Sequence, residues 1–322
     1  MTASSGRVTR ERPARTSRVI VDQGYVAARR LCVTLLCNAV LVSSLAAQAG
    51  AGAIASLPGS VRAAGLGGAG AALVGDAGAV FSNPAGIATI RHLSVEGAYQ
   101  RFPGGTAVGS GALALRAGRL SWGFGAAALD TSGALVRATD LLGLSSLVFR
   151  ASFIALGTSV KYVRETLGAT TADAWAGDVG VAIAIFDLMA FGASVQNLGG
   201  DLGGGARLTR RSRAGLTMNY VDPQGAYRLL TTLEGQWPSG GAGAAFLIAG
   251  VEGGVVVHGT GIVARVGYAG HSTSTDAAPF SYGAGVELGR LHVDYAYRAS
   301  ETGTGAGSSG GGTHRFGLRW TP

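Results

Sequence analysis

The sequence predicts an all-β chain: a transmembrane antiparallel β-barrel of about fourteen strands, preceded by an N-terminal hatch or plug segment. Three observations predict it. Between Leu93 and Trp320 the chain divides into about fourteen short segments in which apolar residues alternate with small or polar ones, the period-two signature of strands with one greasy face. The connections between these segments alternate between tight and long. Composition agrees, with 55 glycines in 322 residues and only 14% charged residues, while the interior lacks the ~18-residue apolar run that a membrane helix needs. In a sandwich the greasy faces would meet a second sheet; in a barrel they meet lipid and the small polar faces line the lumen.

The first element is a leader. Arg29 and Arg30 precede the apolar run LCVTLLCNAVLV at 31–42, which gives way to small residues ending Ala46-Ala47-Gln48-Ala49. Basic region, apolar region and small-residue cleavage site together read as a secretory signal peptide, with the alternative of an uncleaved anchor. Residues 1–48 are assigned to it, with cleavage near Ala47 or Gln48. The stretch ahead of Arg29 is long for such a leader and points to a translation start downstream of Met1. Cys32 and Cys37 both fall in this leader, and Thr34-Leu35-Leu36 lacks the small residues of a lipobox. The mature chain then has no thiol, disulfide or cysteine-based metal site. The leader also holds seven arginines against Glu11 and Asp22, which leaves 19 basic and 16 acidic residues, a net +3. That balance is no footprint for nucleic acid.

Residues 49–90 form the hatch segment. Its Gly65-Leu66-Gly67-Gly68-Ala69-Gly70 matches GxGxxG. A dinucleotide site needs that motif between a strand and a helix of a βαβ unit, which is missing, so these glycines serve tight bends and close approach to a wall. Asp76 is placed to N-cap a short helix running to about Ser82. Pro84 drives Asn83 out of the helical region and ends it, making Asn83-Pro84-Ala85-Gly86 a sharp turn. Leu73, Val74, Val80, Phe81 and Ile87 make this a compact plug in preference to a disordered tail.

Residues 91–322 form the barrel. Strands are placed at 92–101, 107–116, 119–129, 140–148, 152–164, 174–185, 188–196, 211–221, 226–236, 244–252, 261–268, 279–288, 290–298 and 313–320, close to the ~9–11 residues that a tilted strand needs to cross a bilayer. Trp175, Val179, Val181, Ile183 and Ile185 share one face against Ala174, Ala176, Asp178, Gly180 and Ala182. Leu291, Val293, Tyr295 and Tyr297 oppose His292, Asp294, Ala296 and Arg298. In the last strand His314, Phe316, Leu318 and Trp320 oppose Arg315, Gly317 and Arg319, as in a terminal outer-membrane assembly signal. With the N-terminus in the periplasm, most even connections are tight (117–119, 186–187, 222–225, 289) and most odd ones longer (130–139, 166–173, 197–210, 269–278, 299–312). Short periplasmic turns alternating with longer outer loops fit a bacterial barrel. The stretch 253–260 breaks the rule.

The lumen-facing polar candidates are Glu96, Arg116, Lys161, Asp178, Arg213, Glu234, Arg265, Glu287, Asp294 and Arg298. They either line a polar route, lock the hatch by ion pairs, or hold the wall together as polar lumens ordinarily do. The five histidines, His92, His258, His271, His292 and His314, show no HExxH spacing, and there is no GxSxG elbow. His292 and Asp294 share a face, an arrangement chance explains. The reading is a non-enzyme with no catalytic residues, no cofactor and no metal.

The run RAAGLGGAGAALVGDAGAVFSNPAGIA at 62–88 resembles the N-terminal hatch of the FadL-like barrels, the PorV/PorQ family above all. GASVQNLGG at 192–200, VDYAYR at 293–298 and THRFGLRW at 313–320 resemble that family's later signatures in the same order. The resemblance implies a fourteen-stranded outer-membrane barrel in which Asn83, Pro84 and Ala85 form a hatch turn packed in the lumen. It implies passive transport of small hydrophobic molecules, or alternatively a PorV-like attachment or shuttle role in type IX secretion with secretion components or cargo as partners, and thirdly a structural barrel without transport. Outer-membrane lipid is the partner common to all three. The outer loops, short by this placement, leave little surface for gripping cargo.

Overall fold

Period-two alternation becomes a two-sided wall. The computed structural model describes residues 50–131, 138–185, 188–203, 206–221, 226–239, 243–270, 279–299 and 311–322. The predicted leader with Cys32 and Cys37 lies outside the described residues, as does His271.

Fourteen antiparallel strands close into one barrel. They are β1 Leu93–Arg101, β2 Thr106–Ala117, β3 Leu120–Thr131, β4 Ala138–Ala151, β5 Ile154–Leu167, β6 Thr170–Ile185 and β7 Met189–Gly199. The second half is β8 Arg211–Asn219, β9 Tyr227–Pro238, β10 Phe246–Val257, β11 Thr260–Ala269, β12 Phe280–Leu288, β13 Leu291–Arg298 and β14 Thr313–Trp320. β14 pairs with β1, Trp320 opposite Val95 and His314 opposite Arg101, so the barrel has no open edge. The outward face is apolar: Leu156, Val160, Trp175, Leu247 and Ile262 are all more than half exposed. Trp122, Phe149, Phe153 and Trp320 ring the short-turn end of this band, and Tyr162, Trp175, Tyr268, Phe280 and Tyr282 ring the long-loop end, the two aromatic girdles of a membrane barrel.

Two expectations about connections are corrected. The expected loop at 166–173 is a tight hairpin, with Leu167 paired to Thr170 and Gly168 at φ 60°. The polar residues that suggested a loop, Thr166, Thr171 and Asp173, lie on strands that rise beyond the apolar band. The expected connection at 253–260 is also strand: Gly253 pairs with Leu229 on one side and Ala264 on the other. The turn there is only His258-Gly259, both at positive φ of 51° and 79°. This correction makes the β10–β11 connection short like the other even ones, while the tight β5–β6 hairpin is an exception among the odd ones.

Inside, residues 52–90 follow the lumen wall. Two helical turns, α1 Ala53–Ser56 and α2 Val61–Gly65, are followed by 3-10 turns at Ala77–Phe81 and Pro84–Thr89. The first described residues, Gly50–Ala51, pair in parallel with Ala206–Leu208 in the β7–β8 connection, at the long-loop end. The chain then crosses the lumen to enter β1 at the short-turn end.

Candidate functional site

The lumenal segment meets the wall backbone to backbone, and glycine makes that possible. A Cβ on Gly192 of β7 would collide with the carbonyl of Ala71, and one on Gly267 of β11 with the Leu66–Gly67 peptide. One on Gly180 of β6 would strike the Asn83 side chain, and one on Gly157 of β5 would stand 2.7 Å from the Ala85 amide nitrogen. The wall thus carries an imprint of the segment.

Polar contacts fix the register of that fit. Glu234 of β9 accepts from the amides of Gly70 and Ala71, both at 2.7 Å, through Oε2. Its Oε1 accepts from Arg213 Nε at 2.7 Å, and Arg213 also donates to the Gly68 carbonyl. Ser281 Oγ accepts from the Gly67 amide at 2.9 Å. Asn83 lies extended before Pro84, as expected, and does more than turn the chain. Its Oδ1 accepts from the Ala85 amide, while its Nδ2 donates to Ala71 at 2.7 Å and to the Val181 carbonyl at 3.0 Å. Gln196 and Ser194 donate to the Phe81 and Ser82 carbonyls.

At the centre lies a chain of buried ion pairs. Arg62 of α2 donates to Glu252 through Nε and Nη2, each at 2.9 Å, and to Asp76 through Nη1 at 3.0 Å. Arg319 of β14 closes on the other Asp76 oxygen. Arg265 joins Glu252 to Asp294, both contacts at 2.6 Å. Burial alone would lower the Arg62 guanidinium, but Glu252, then Asp294 and Glu287, raise it above its ordinary value, so it stays charged. Three guanidiniums face three carboxylates; losing one member would leave an uncompensated buried charge.

Two cavities flank this knot. One, of about 210 Å3, lies toward the long-loop end and is lined by Phe81, Arg211, Phe246 and Arg298 among others. The second, of about 340 Å3, lies toward the short-turn end with Ala184, Met189, Leu229 and Arg62 on its wall. Leu73 borders both. The stretch of segment around it is what separates the two.

The structure brings together three predicted pairs: Lys161 with Asp178 at 2.8 Å, Arg213 with Glu234, and Arg265 with Asp294. Lys161 and Asp178 are joined by Asn197 and Ser159 at a bulge between β6 and β7. The other four stand apart. Glu96 accepts from the Gly78 amide, Arg116 donates to the Ile90 carbonyl at the short-turn end, Glu287 meets Arg228 and His292, and Arg298 lines the first cavity. Asp76 corrects its expectation. It occupies the N-cap position, yet makes no side-chain cap bond, because its carboxylate is held by Arg62 and Arg319. His292 and Asp294 turn to separate partners, Glu287 with Arg319 and Arg265 respectively. Glycines 67 and 68 of the GxGxxG run have φ of 79° and 91°, a backbone role. Sequence reasoning missed Arg62, Glu252, Arg315 and Arg319 as inward-facing groups. The alternation of β14 already placed Arg315 and Arg319 opposite the aromatic face; Glu252 was hidden by ending its strand too early.

No family model matches the chain, and no curated protein matches it significantly. Solved structures do. The toluene transporter TbuX of Ralstonia pickettii is similar with a TM-score of 0.59 at 14% identity, over 83% of this chain and 99% of that one. The toluene transporter TodX of Pseudomonas putida gives 0.53 at 12%, over 86% and 98%. A FadL homologue of Pseudomonas aeruginosa gives 0.50 at 13%, over 81% and 98%. At these identities the likeness is one of fold, and activity has to be argued from the site.

Proposed function

We propose that the protein is an outer-membrane barrel for passive transport of small hydrophobic molecules, with residues 49–90 as its hatch and 1–48 removed as a leader on export. The observation that carries this is the pair of part-apolar cavities meeting at Leu73, separated only by a segment that is docked in the lumen and not part of the wall. Moving that segment joins the cavities, whereas moving a strand would break the barrel. The likeness in fold to two toluene transporters and a FadL homologue supports the reading. Cells of an outer-membrane host that trap radiolabelled toluene metabolically should take it up faster when they express this protein. Uptake equal to that of empty cells overturns the proposal.

The PorV-like alternative rests on the sequence signatures, and several of their polar residues point inward. Gln196 and Asn197 of GASVQNLGG contact the lumenal segment and the β7–β8 connection, while Asp294, Arg315 and Arg319 of the later two are buried in the lumen. They support an internal role in shaping the plugged barrel more than a docking surface.

A further inference from the structure

The cavity at the long-loop end carries a feature that a route for neutral hydrocarbons does not call for. Its lining holds four arginines, Arg211, Arg213, Arg298 and Arg315, against the single carboxylate of Asp76. Asp76 is already bound by Arg62 and Arg319, and Arg213 is neutralised by Glu234. Arg315 Nε donates to the amide oxygen of Gln100 at 3.0 Å.

Arg211 is the telling residue. Arg62, Arg213, Arg265 and Arg319 each have a carboxylate partner, but Arg211 donates only to the Ser56 carbonyl at 3.3 Å, and its Nε is shut off from solvent with no hydrogen-bond partner. Arg211 is half-buried, and a guanidinium partly withdrawn from water without an anion is disfavoured, a cost that an anionic ligand would offset through charge-assisted bonds. Beside it the lining is apolar, with Leu57, Phe81, Phe246 and Ile248. The volume, about 210 Å3, is of the order of the ~150 Å3 apolar cavity that accepts benzene, so one ring with a small substituent fits and a long acyl chain does not.

We propose that this cavity is a binding site for compact organic anions, an aromatic or similarly small apolar body carrying one carboxylate, with Arg211 as the group that receives the carboxylate. The inference rests on the reading of the lumen as a transport route, which it narrows to a charge-selective one. The test is equilibrium binding of radiolabelled benzoate, benzamide and toluene to the full-length protein purified in detergent. Benzoate should bind at least about tenfold more tightly than benzamide, its uncharged counterpart, as one charge-assisted bond implies. Arg211→Gln should lose about tenfold or more in benzoate affinity while toluene affinity changes less than about twofold, and Arg211→Lys should recover most of the loss. The benzoate–benzamide comparison uses the unaltered protein, so it stands even where the glutamine variant fails to fold. Equal binding of benzoate and benzamide, or undiminished benzoate binding by a folded Arg211→Gln, overturns the proposal. Toluene binding without benzoate binding overturns it while leaving hydrophobic transport standing; binding of neither counts against both.

Discussion

Asp76 shows how much one side chain does in this lumen. Its two oxygens take one guanidinium from the lumenal segment, Arg62, and one from the wall, Arg319, so it fastens the segment to β14. Asp76→Ala leaves those guanidiniums short of a partner and should weaken docking by about 3–5 kcal/mol. Limited proteolysis is the measurement: cleavage within 60–76 should appear while the barrel keeps its heat-modifiable mobility on a gel. An unchanged cleavage pattern would contradict the role. Asp76 was legible as a residue that matters because it stands before an apolar run, which is why a cap was expected. Its partner was not legible, because Arg319 lies 243 residues away and only closure of the barrel brings it near. Arg315 and Arg319 themselves were readable as inward-facing from the alternation of β14; that they meet Gln100 and Asp76 was not.

Among the elements, strands were easier to read than their ends. Alternation is a local property, so each barrel strand was found near its place. The errors came where the pattern mixes two causes. Gly253 and Gly254 looked like a loop because glycine weakens the strand signal, yet both are paired within β10. The outer ends of β5 and β6 looked like a loop because they are polar on both faces where they leave the apolar band. Two predictions belong at this scale. Leu156, on the lipid-facing side of β5, is 59% exposed; Leu156→Arg should destabilise the folded barrel by about 2–4 kcal/mol in lipid, read as a lowered urea midpoint in vesicles. No shift would contradict the placement of that face. Gly192 leaves no room for a Cβ against the Ala71 carbonyl. Gly192→Val should therefore expel the neighbouring stretch of segment while β7 stays paired, giving faster toluene uptake by folded protein. Slower or unchanged uptake would mean that this contact does not hold the route shut.

For the molecule as a whole, the closed wall, the apolar band and the docked segment form one argument. The sequence carried the barrel and the approximate strand number, since each follows from period and turn length along the chain. It could not carry the route. The two cavities and the residue between them, Leu73, depend on how residues 52–90 settle against strands drawn from the entire barrel. The glycine imprint explains the composition in the same terms: a wall that receives a backbone at van der Waals contact needs positions without side chains.

The central claim is that residues 52–90 obstruct the lumen and must move for passage, and a reversible staple tests it most directly. A Cβ on Gly317 of β14 would lie 3.0 Å from that of Val61 in α2, near the ~3.5–4.5 Å span of a disulfide. With Cys32 and Cys37 in the predicted leader, Val61→Cys combined with Gly317→Cys gives the mature chain a single cysteine pair. Toluene uptake by cells carrying the oxidised pair should fall to that of empty cells and return on reduction. Uptake that is the same in the oxidised and reduced states would contradict the account.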